Sequence, residues 1–173
     1  MAPATAVPPA AVPVHYMPGI PNPYGGFWIR VLARLIDSAL IGLVAVPLFV
    51  IISLPALIRI IHEAQRDREP QPELIAALVT SVLGFAVLAL AGQWLYEALL
   101  TSSTWQGTVG KKLLSLKVTD ENGNRISFAR ATGRFFAKLI SQLILNIGFI
   151  MVAFTERKQG LHDLIAGTLV KKY

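Results

Sequence analysis

Two uncharged apolar runs constrain this chain more than any other feature of its sequence. Residues 39–58 and 74–96 contain no Asp, Glu, Lys or Arg. A helix needs about 20 apolar residues to cross the hydrocarbon core of a bilayer. The two runs therefore predict two transmembrane helices, which we place at residues 27–54 and 74–100. The charged fraction of the chain is 15%, whereas soluble domains carry about 25%.

The first apolar run is too long for one straight span. A continuous helix from residue 27 to residue 58 would measure roughly 48 Å, against a hydrocarbon core of about 30 Å. Pro47 and Pro55 lie inside it, and an interior proline removes a backbone hydrogen bond and kinks a helix. We therefore expect the span to end near residue 54, with an amphipathic piece following it at the membrane surface.

The N-terminal segment differs in composition from the rest of the chain. Residues 1–25 contain seven of the eleven prolines and no Asp, Glu, Lys or Arg. A signal peptide needs a basic region followed by an apolar one, and this segment has neither. We expect a disordered, proline-rich tail over residues 1–25 that serves as a tether or docks on a partner. One membrane domain, residues 26–173, follows it.

After the second apolar run the sequence changes to the two-residue period of a β-strand. Apolar and polar residues alternate over residues 114–118, and an Asn-Gly pair follows at residues 122–123. Asn-Gly between two alternating runs is a strong hairpin signal. We predict a small β-hairpin over residues 112–128 and a further C-terminal strand over residues 168–170.

A third apolar segment, residues 128–154, has two possible paths. Basic and polar residues recur on one helix face from Arg130 to Ser141. Residues 101–138 carry seven basic residues and the tail from residue 155 carries four, and cytoplasmic loops collect Lys and Arg. A third crossing would put these two regions on opposite sides. We therefore expect a re-entrant or interfacial segment that returns to the same side, with a spanning helix as the alternative.

Together these features predict a mainly α-helical, multi-pass integral protein of the cell membrane, with the small sheet on its cytoplasmic side. A net charge of +6 would suggest nucleic acid in a soluble protein. Here the basic residues flank apolar runs, so we attribute them to orientation in the membrane. The expected partner is the lipid bilayer, and nucleic acid is not expected.

Charged residues at the edges of the two spans are the candidate functional residues. Arg30, Arg34 and Asp37 share one face of the first helix, since they are spaced by four and three residues. Gln93 and Glu97 share a face of the second helix. A charge inside the membrane costs about 2.5–3.5 kcal/mol and is normally paired. We predict one polar cluster near the cytoplasmic side, which is either an ion-pair network or a cation or proton site.

The sequence favours no enzyme. The chain has no cysteine, and its three histidines fall in different regions. A metal site or a thiol nucleophile is therefore not expected. No motif places a serine nucleophile beside a histidine, so we expect neither catalytic residues nor a cofactor.

Three stretches of the chain resemble the RDD family of small membrane proteins. Residues 26–37 (GFWIRVLARLID) place Arg30 and Asp37 on the arginine and the first aspartate of the family. Residues 160–168 (GLHDLIAGT) place Asp163 on the second aspartate, and the middle stretch lies within residues 108–128. Further matches to the motifs of the family are Gly110, Lys111, His162, Gly167 and Thr168.

The resemblance implies a bacterial-type membrane protein with a transport role, because some members of the family are similar to sodium/proton antiporters. On this hypothesis Asp37 is the exchangeable carboxylate, Arg30 orients it and Glu97 assists. The exchanged ions would be Na⁺ or another monovalent cation and H⁺. Two spans cannot enclose a pathway, so a homo-oligomer or another membrane protein is required.

The alternative is a non-catalytic accessory or assembly subunit of a larger membrane complex. The Arg and Asp residues of the family motif would then be structural. Asp163 would cap the short turn at residues 164–166, or pair with Arg134 or Lys138. The small sheet and the proline-rich tail would contact other membrane proteins.

Overall fold

The computed structural model describes residues 22–66, 69, 71–143 and 147–173. Two long helices, α1 (Phe27–Ala64) and α2 (Pro72–Ser102), carry the two apolar runs. The shorter elements that follow are, in chain order, α3 (Val109–Leu113), β1 (Leu116–Asp120), α4 (Phe128–Leu143), α5 (Ile147–Phe154), α6 (Leu161–Ala166) and β2 (Thr168–Lys172). Most of the predicted tail, residues 1–25, lies outside the described residues.

α1 and α2 are the two long helices that the apolar runs predict. By length and composition each is able to cross a bilayer, and α4 and α5 would add a third span if that bent pair is one segment. Their apolar side chains point away from the rest of the chain, since Leu43 is 75% and Val87 67% exposed. An apolar surface of this extent indicates contact with lipid.

α1 continues as a helix through Pro47 and Pro55 to Ala64, and the end of the membrane span near residue 54 stays a prediction. Each proline removes one backbone hydrogen bond and leaves the other bonds of the helix in place. Membrane helices tolerate proline where neighbouring groups or local adjustments of the helix satisfy the backbone groups that it frees. The 38 residues of α1 extend over roughly 57 Å, which is longer than one membrane crossing.

A two-stranded antiparallel sheet joins the middle of the chain to its C-terminal segment. β1 pairs with β2 so that Leu116 lies opposite Lys172 and Asp120 lies opposite Thr168. The predicted C-terminal strand is therefore confirmed. Residues 23–25 run along the other side of β2, where the Gly25 N–H donates to the Val170 carbonyl at 2.9 Å.

The predicted hairpin over residues 112–128 is wrong in its second strand. The turn is present, because the Asp120 N–H donates to the Asn124 carbonyl at 2.9 Å and Gly123 has φ 89°. Beyond the turn the chain leads into α4 instead of pairing with β1. Ile126 is 2% exposed and packs in the core without being part of a strand. On the edge of β1 that a hairpin would use, the Val118 N–H donates to the Gln106 carbonyl at 2.6 Å, and β2 pairs along the opposite edge.

The small hydrophobic core lies beneath the sheet, where the two long helices approach it. Leu116, Val118 and Val170 of the sheet are fully buried against Ala33 of α1 and Ala98 of α2. The two alanines have short side chains, which allow the helices to come close to each other and to the sheet. The core therefore fixes the ends of α1 and α2 relative to the C-terminal part of the chain.

Residues 128–154 form two helices whose axes differ in direction by 102°. β1 precedes this segment and β2 follows it, so one sheet holds the chain on both sides of the segment. Of the predicted polar stripe on α4, Arg134 and Ser141 are buried, whereas Arg130 is exposed. Residues 144–146, which connect the two helices, lie outside the described part of the chain.

Candidate functional site

Asp163 joins three parts of the structure through its carboxylate. Arg134 donates to Oδ1 from Nε at 2.9 Å and from Nη2 at 2.7 Å. Arg30 donates to Oδ2 from Nη1 at 2.5 Å. The Gly160 N–H also donates to Oδ2, at 3.2 Å. Asp163 thus pairs with Arg134, one of the two basic partners considered above. Its carboxylate also accepts from the N–H of Gly160, the residue before α6, and not from the turn at residues 164–166.

The electrostatic surroundings keep Asp163 ionised. Burial alone would raise the pKa of its carboxyl, but the guanidinium groups of Arg134 and Arg30 outweigh burial and hold the pKa well below its usual range. At the neighbouring His162 burial is the largest effect, and it lowers the pKa of the imidazole to about 2. His162 lies against Phe149, with ring centroids 4.9 Å apart, so it serves as a neutral packing residue at neutral pH.

Glu97 of α2 lies among three basic groups. Lys138 of α4 contacts its Oε1, Arg134 Nη1 is 3.4 Å away and Lys111 Nζ is 3.8 Å away. Glu97 is 4% exposed. Burial lowers the pKa of Lys111, and the attraction of Glu97 works against that effect. We call Arg30, Glu97, Lys111, Arg134, Lys138 and Asp163 the buried ion network.

Asp37 of α1 has a different set of partners. Its Oδ1 accepts from the Tyr96 hydroxyl and from the Gly110 N–H, both at 2.8 Å. Its Oδ2 accepts from the Thr108 hydroxyl at 2.5 Å. All three donors are neutral, and among the described residues Asp37 forms no salt bridge. We call these four residues the Asp37 cradle.

Gly110 allows the Asp37 cradle to form. A Cβ atom at this position would overlap the carbonyl oxygen of Ala33 and lie 3.1 Å from the Asp37 carboxylate carbon. The backbone of α3 therefore packs directly on α1. Only a residue without a side chain permits this approach, which places the Gly110 N–H on the carboxylate.

Arg34 lies on the same face of α1 and contacts Gln93 of α2. With the Gln93 amide oxygen turned toward the guanidinium, it accepts from the two terminal nitrogens of Arg34 at 2.9 and 2.5 Å. This partner is neutral. Among the described residues Arg34 forms no salt bridge with a carboxylate.

A cavity of about 490 Å³ lies among α1, α2, α4 and α5. Arg30, Arg34 and Asp37 line it from α1, and Glu97 lines it from α2. Lys111, Arg134 and Lys138 also reach it, together with apolar side chains of all four helices. The Asp37 cradle and the buried ion network therefore border the same space.

The two aspartates and the arginine of the motif thus lie in or beside one cavity. The model of the RDD family matches residues 24–167. The chain belongs to the RDD family. In this RDD protein the match covers all the described helices, β1 and the site residues from Arg30 to Asp163, and it ends just before β2.

Three relatives from Bacillus subtilis (strain 168) resemble the chain over most of their length. YxaI is 40% identical over 147 residues, which are 84% of this chain and 95% of YxaI. YckC is 27% identical over 154 residues, covering 84% of this chain and 82% of YckC. YteJ, which is named a membrane protein, is 29% identical over 157 residues, covering 85% and 80%. No solved structure matches the chain.

The five residues of the predicted polar cluster all line one cavity, but they fall into three separate sets of contacts. Arg30 pairs with Asp163 and not with Asp37, because its side chain turns toward the N-terminus of α1, where Nε donates to the Gly25 carbonyl at 2.7 Å. Arg34 is bound to Gln93, and Glu97 belongs to the buried ion network.

Sequence reasoning missed Tyr96 and Thr108 as partners of Asp37. It proposed Arg134 and Lys138 as partners of Asp163 but did not bring either of them to Glu97. The available signal for the latter was their spacing with Ser141, which places all three on the inner face.

The remaining motif residues shape the C-terminal turn of the site. Gly167 ends α6 in the left-handed region with φ 59°, which favours glycine. The Thr168 hydroxyl donates to the Asp163 carbonyl oxygen at 3.4 Å. Among the described residues no group of three His, Asp or Glu side chains is arranged to hold a metal ion.

Proposed function

We propose that this RDD protein is a multi-pass transport protein of the cell membrane that exchanges a monovalent cation for a proton at Asp37. The observation that carries the proposal is the Asp37 cradle. Asp37 is 5% exposed, lies on a helix that is apolar enough to cross a membrane, and borders a cavity. Ionisable residues in such positions commonly mark ion and proton pathways.

The partners of Asp37 suit an exchange reaction better than those of the other two carboxylates. Glu97 and Asp163 are held by buried Lys and Arg groups, which a monovalent cation would have to displace. Asp37 is held by two hydroxyls and one N–H. A hydroxyl has lone pairs as well as a proton, so Tyr96 and Thr108 are able to turn and contribute oxygen to a bound cation. Asp37 is therefore the exchangeable group, and the buried ion network holds its surroundings in place.

The path of residues 128–154 in this proposal is re-entrant, with both of its ends on the cytoplasmic side. Its support is the pairing of β1 with β2, which brings the chain before α4 and the chain after α6 to the same sheet. A single crossing would separate these two regions. The exposed faces of α1 and α2 also leave the cavity incompletely enclosed, so the working form is a homo-oligomer.

Cation-driven proton flux in proteoliposomes tests the proposal. The protein is reconstituted with a pH-sensitive dye inside the vesicles, and Na⁺, K⁺ or Li⁺ is added outside. Wild-type protein should move protons on addition of at least one of these cations, and Asp37→Asn should not. The matched control is Asp120→Asn, because Asp120 is the last residue of β1 and does not line the cavity, and Asn retains an oxygen acceptor.

Retention of full flux by Asp37→Asn would exclude Asp37 as the exchange site. No flux from inserted wild-type protein with any of the three cations would exclude the exchange activity. It would favour a non-catalytic accessory subunit of a larger membrane complex. A specific observation speaks for that second candidate: Arg30 and Asp163 bind each other, and Arg134 ties them to α4. Arg30 and Asp163, both residues of the family motif, thus hold separate helices together.

A further inference from the structure

The cavity has more basic groups around it than acidic ones. Five basic side chains line it, namely Arg30, Arg34, Lys111, Arg134 and Lys138. The acidic groups are Asp37 and Glu97 in its wall and Asp163, which is paired with two of the arginines. Five positive charges against three negative ones leave an excess of two. Uncompensated charge in apolar surroundings is costly, so this excess calls for an anion.

Three of the five basic residues form no ion pair with Asp163 in the described part of the chain. Arg30 and Arg134 both bind that carboxylate, at 2.5 and 2.7 Å, and share its single negative charge. Glu97 is the only salt-bridge partner that Lys111 and Lys138 have among the described residues, and they share it. Arg34 has only the neutral Gln93 amide there. The site for an anion therefore lies among Arg34, Lys111 and Lys138.

The rest of the cavity wall is apolar and accessible from the outer surface of the helices. Leu35 of α1 is 60% exposed and Ile150 of α5 is 47% exposed, and both line the cavity. Leu90 and Leu139 extend the same wall. In a membrane this surface faces acyl chains. The volume of about 490 Å³ falls in the usual range of ligand sites, about 300–1,000 Å³.

We infer that the cavity binds an anionic phospholipid. Its phosphate would lie against Arg34, Lys111 and Lys138, and the start of an acyl chain would follow Leu35 and Ile150. A phosphate offers several oxygens to guanidinium and ammonium donors, which makes strong charge-assisted hydrogen bonds. A zwitterionic lipid would bring its own cation into a region that already has an excess of positive charge. The inference concerns binding alone and does not require exchange activity.

Native mass spectrometry of the full-length protein, stripped of lipid in a neutral detergent, tests this inference. The probes are dioleoyl phosphatidylglycerol, dioleoyl phosphatidylcholine and inorganic phosphate. We expect one phosphatidylglycerol to be retained per chain, with much weaker retention of the other two. Arg34→Gln should weaken phosphatidylglycerol binding by about tenfold. The control Arg59→Gln removes the same charge from the same helix away from this cavity and should have no effect.

A steric variant supplies an independent measurement. Leu35→Trp fills the apolar part of the cavity from an exposed position and should reduce phosphatidylglycerol binding while all the basic groups remain. Equal retention of phosphatidylglycerol and phosphatidylcholine would overturn the inference, because the site would then not select for charge. Binding of inorganic phosphate as strong as that of phosphatidylglycerol would replace the lipid by a free anion. Equal effects of Arg34→Gln and Arg59→Gln would place the lipid elsewhere.

Discussion

Replacing Asp163 with Asn tests how far the buried ion network stabilises the fold. The substitution keeps the shape of the side chain and removes its charge. Arg30 and Arg134 then lose the carboxylate that receives three of their N–H groups at 2.5 to 2.9 Å. Breaking a buried pair from one side costs about 3–5 kcal/mol, because an uncompensated charge stays buried.

For Asp163→Asn we expect a loss of stability of about 3 kcal/mol, the lower end of that range. Arg134 keeps Glu97 at 3.4 Å, and Arg30 keeps the carbonyl oxygens of Gly25 and Lys158. A loss of about 3 kcal/mol lowers Tm by about 6–12 °C in a domain of this size. The assay is thermal unfolding of the purified protein in detergent, followed by circular dichroism. The control is Glu121→Gln, whose side chain is 61% exposed and 3.9 Å from Arg157, so its loss is at most about 1 kcal/mol.

The pH dependence of this difference adds a second criterion. The pKa of Asp163 is held below its usual range in the folded protein, so the stabilisation is fully present above the unfolded value of about 3.9. The difference in Tm between wild type and Asp163→Asn should therefore be constant from pH 8 to pH 5 and shrink below pH 4. A Tm for Asp163→Asn equal to that of Glu121→Gln would refute the reasoning.

Two further substitutions test the close packing at α3 and the neutral histidine. Gly110→Ala should lower stability by about 1–3 kcal/mol, because the new methyl group overlaps the Ala33 carbonyl. Gly133→Ala, which meets nothing within 4 Å, should not lower Tm. Burial holds the pKa of His162 at about 2, whereas the unfolded chain takes up a proton below about pH 6.5. Wild type should therefore lose up to about 1.4 kcal/mol per pH unit below that value, and His162→Phe should lose less, as measured by Tm at pH 7 and pH 5.

Local patterns in the sequence predicted the two long helices, because a membrane helix depends mainly on the residues of its own segment. An uncharged run of about 20 residues has few alternatives to a membrane helix. The hairpin failed for the opposite reason. The alternation before Asn122 and Gly123 describes a strand correctly but does not identify its partner. That partner, β2, begins 48 residues after β1 ends.

In the candidate site, too, the sequence predicted the local features and missed the contacts between distant residues. Helical spacing placed Arg30 and Asp37 near one cavity, which is a local property of α1. Their partners are distant: Arg30 binds Asp163, 133 residues away, and Asp37 binds Thr108, 71 residues away. Spacing within one helix contains no information about such contacts. The role of Gly110 likewise depends on how α3 approaches α1.

Asp163 follows both Arg30 and Arg134 along the chain, which sets an order of events during synthesis. Domains form from the N-terminal side as the chain is made, so Arg30 and Arg134 enter the membrane region before the carboxylate that neutralises them exists. β2, which begins five residues after Asp163, then completes the sheet by pairing with β1. A chain interrupted before residue 163 retains two arginines without this partner and an unpaired β1. Such a product is less stable than a chain that includes residues 163–172, and it is correspondingly more exposed to proteases.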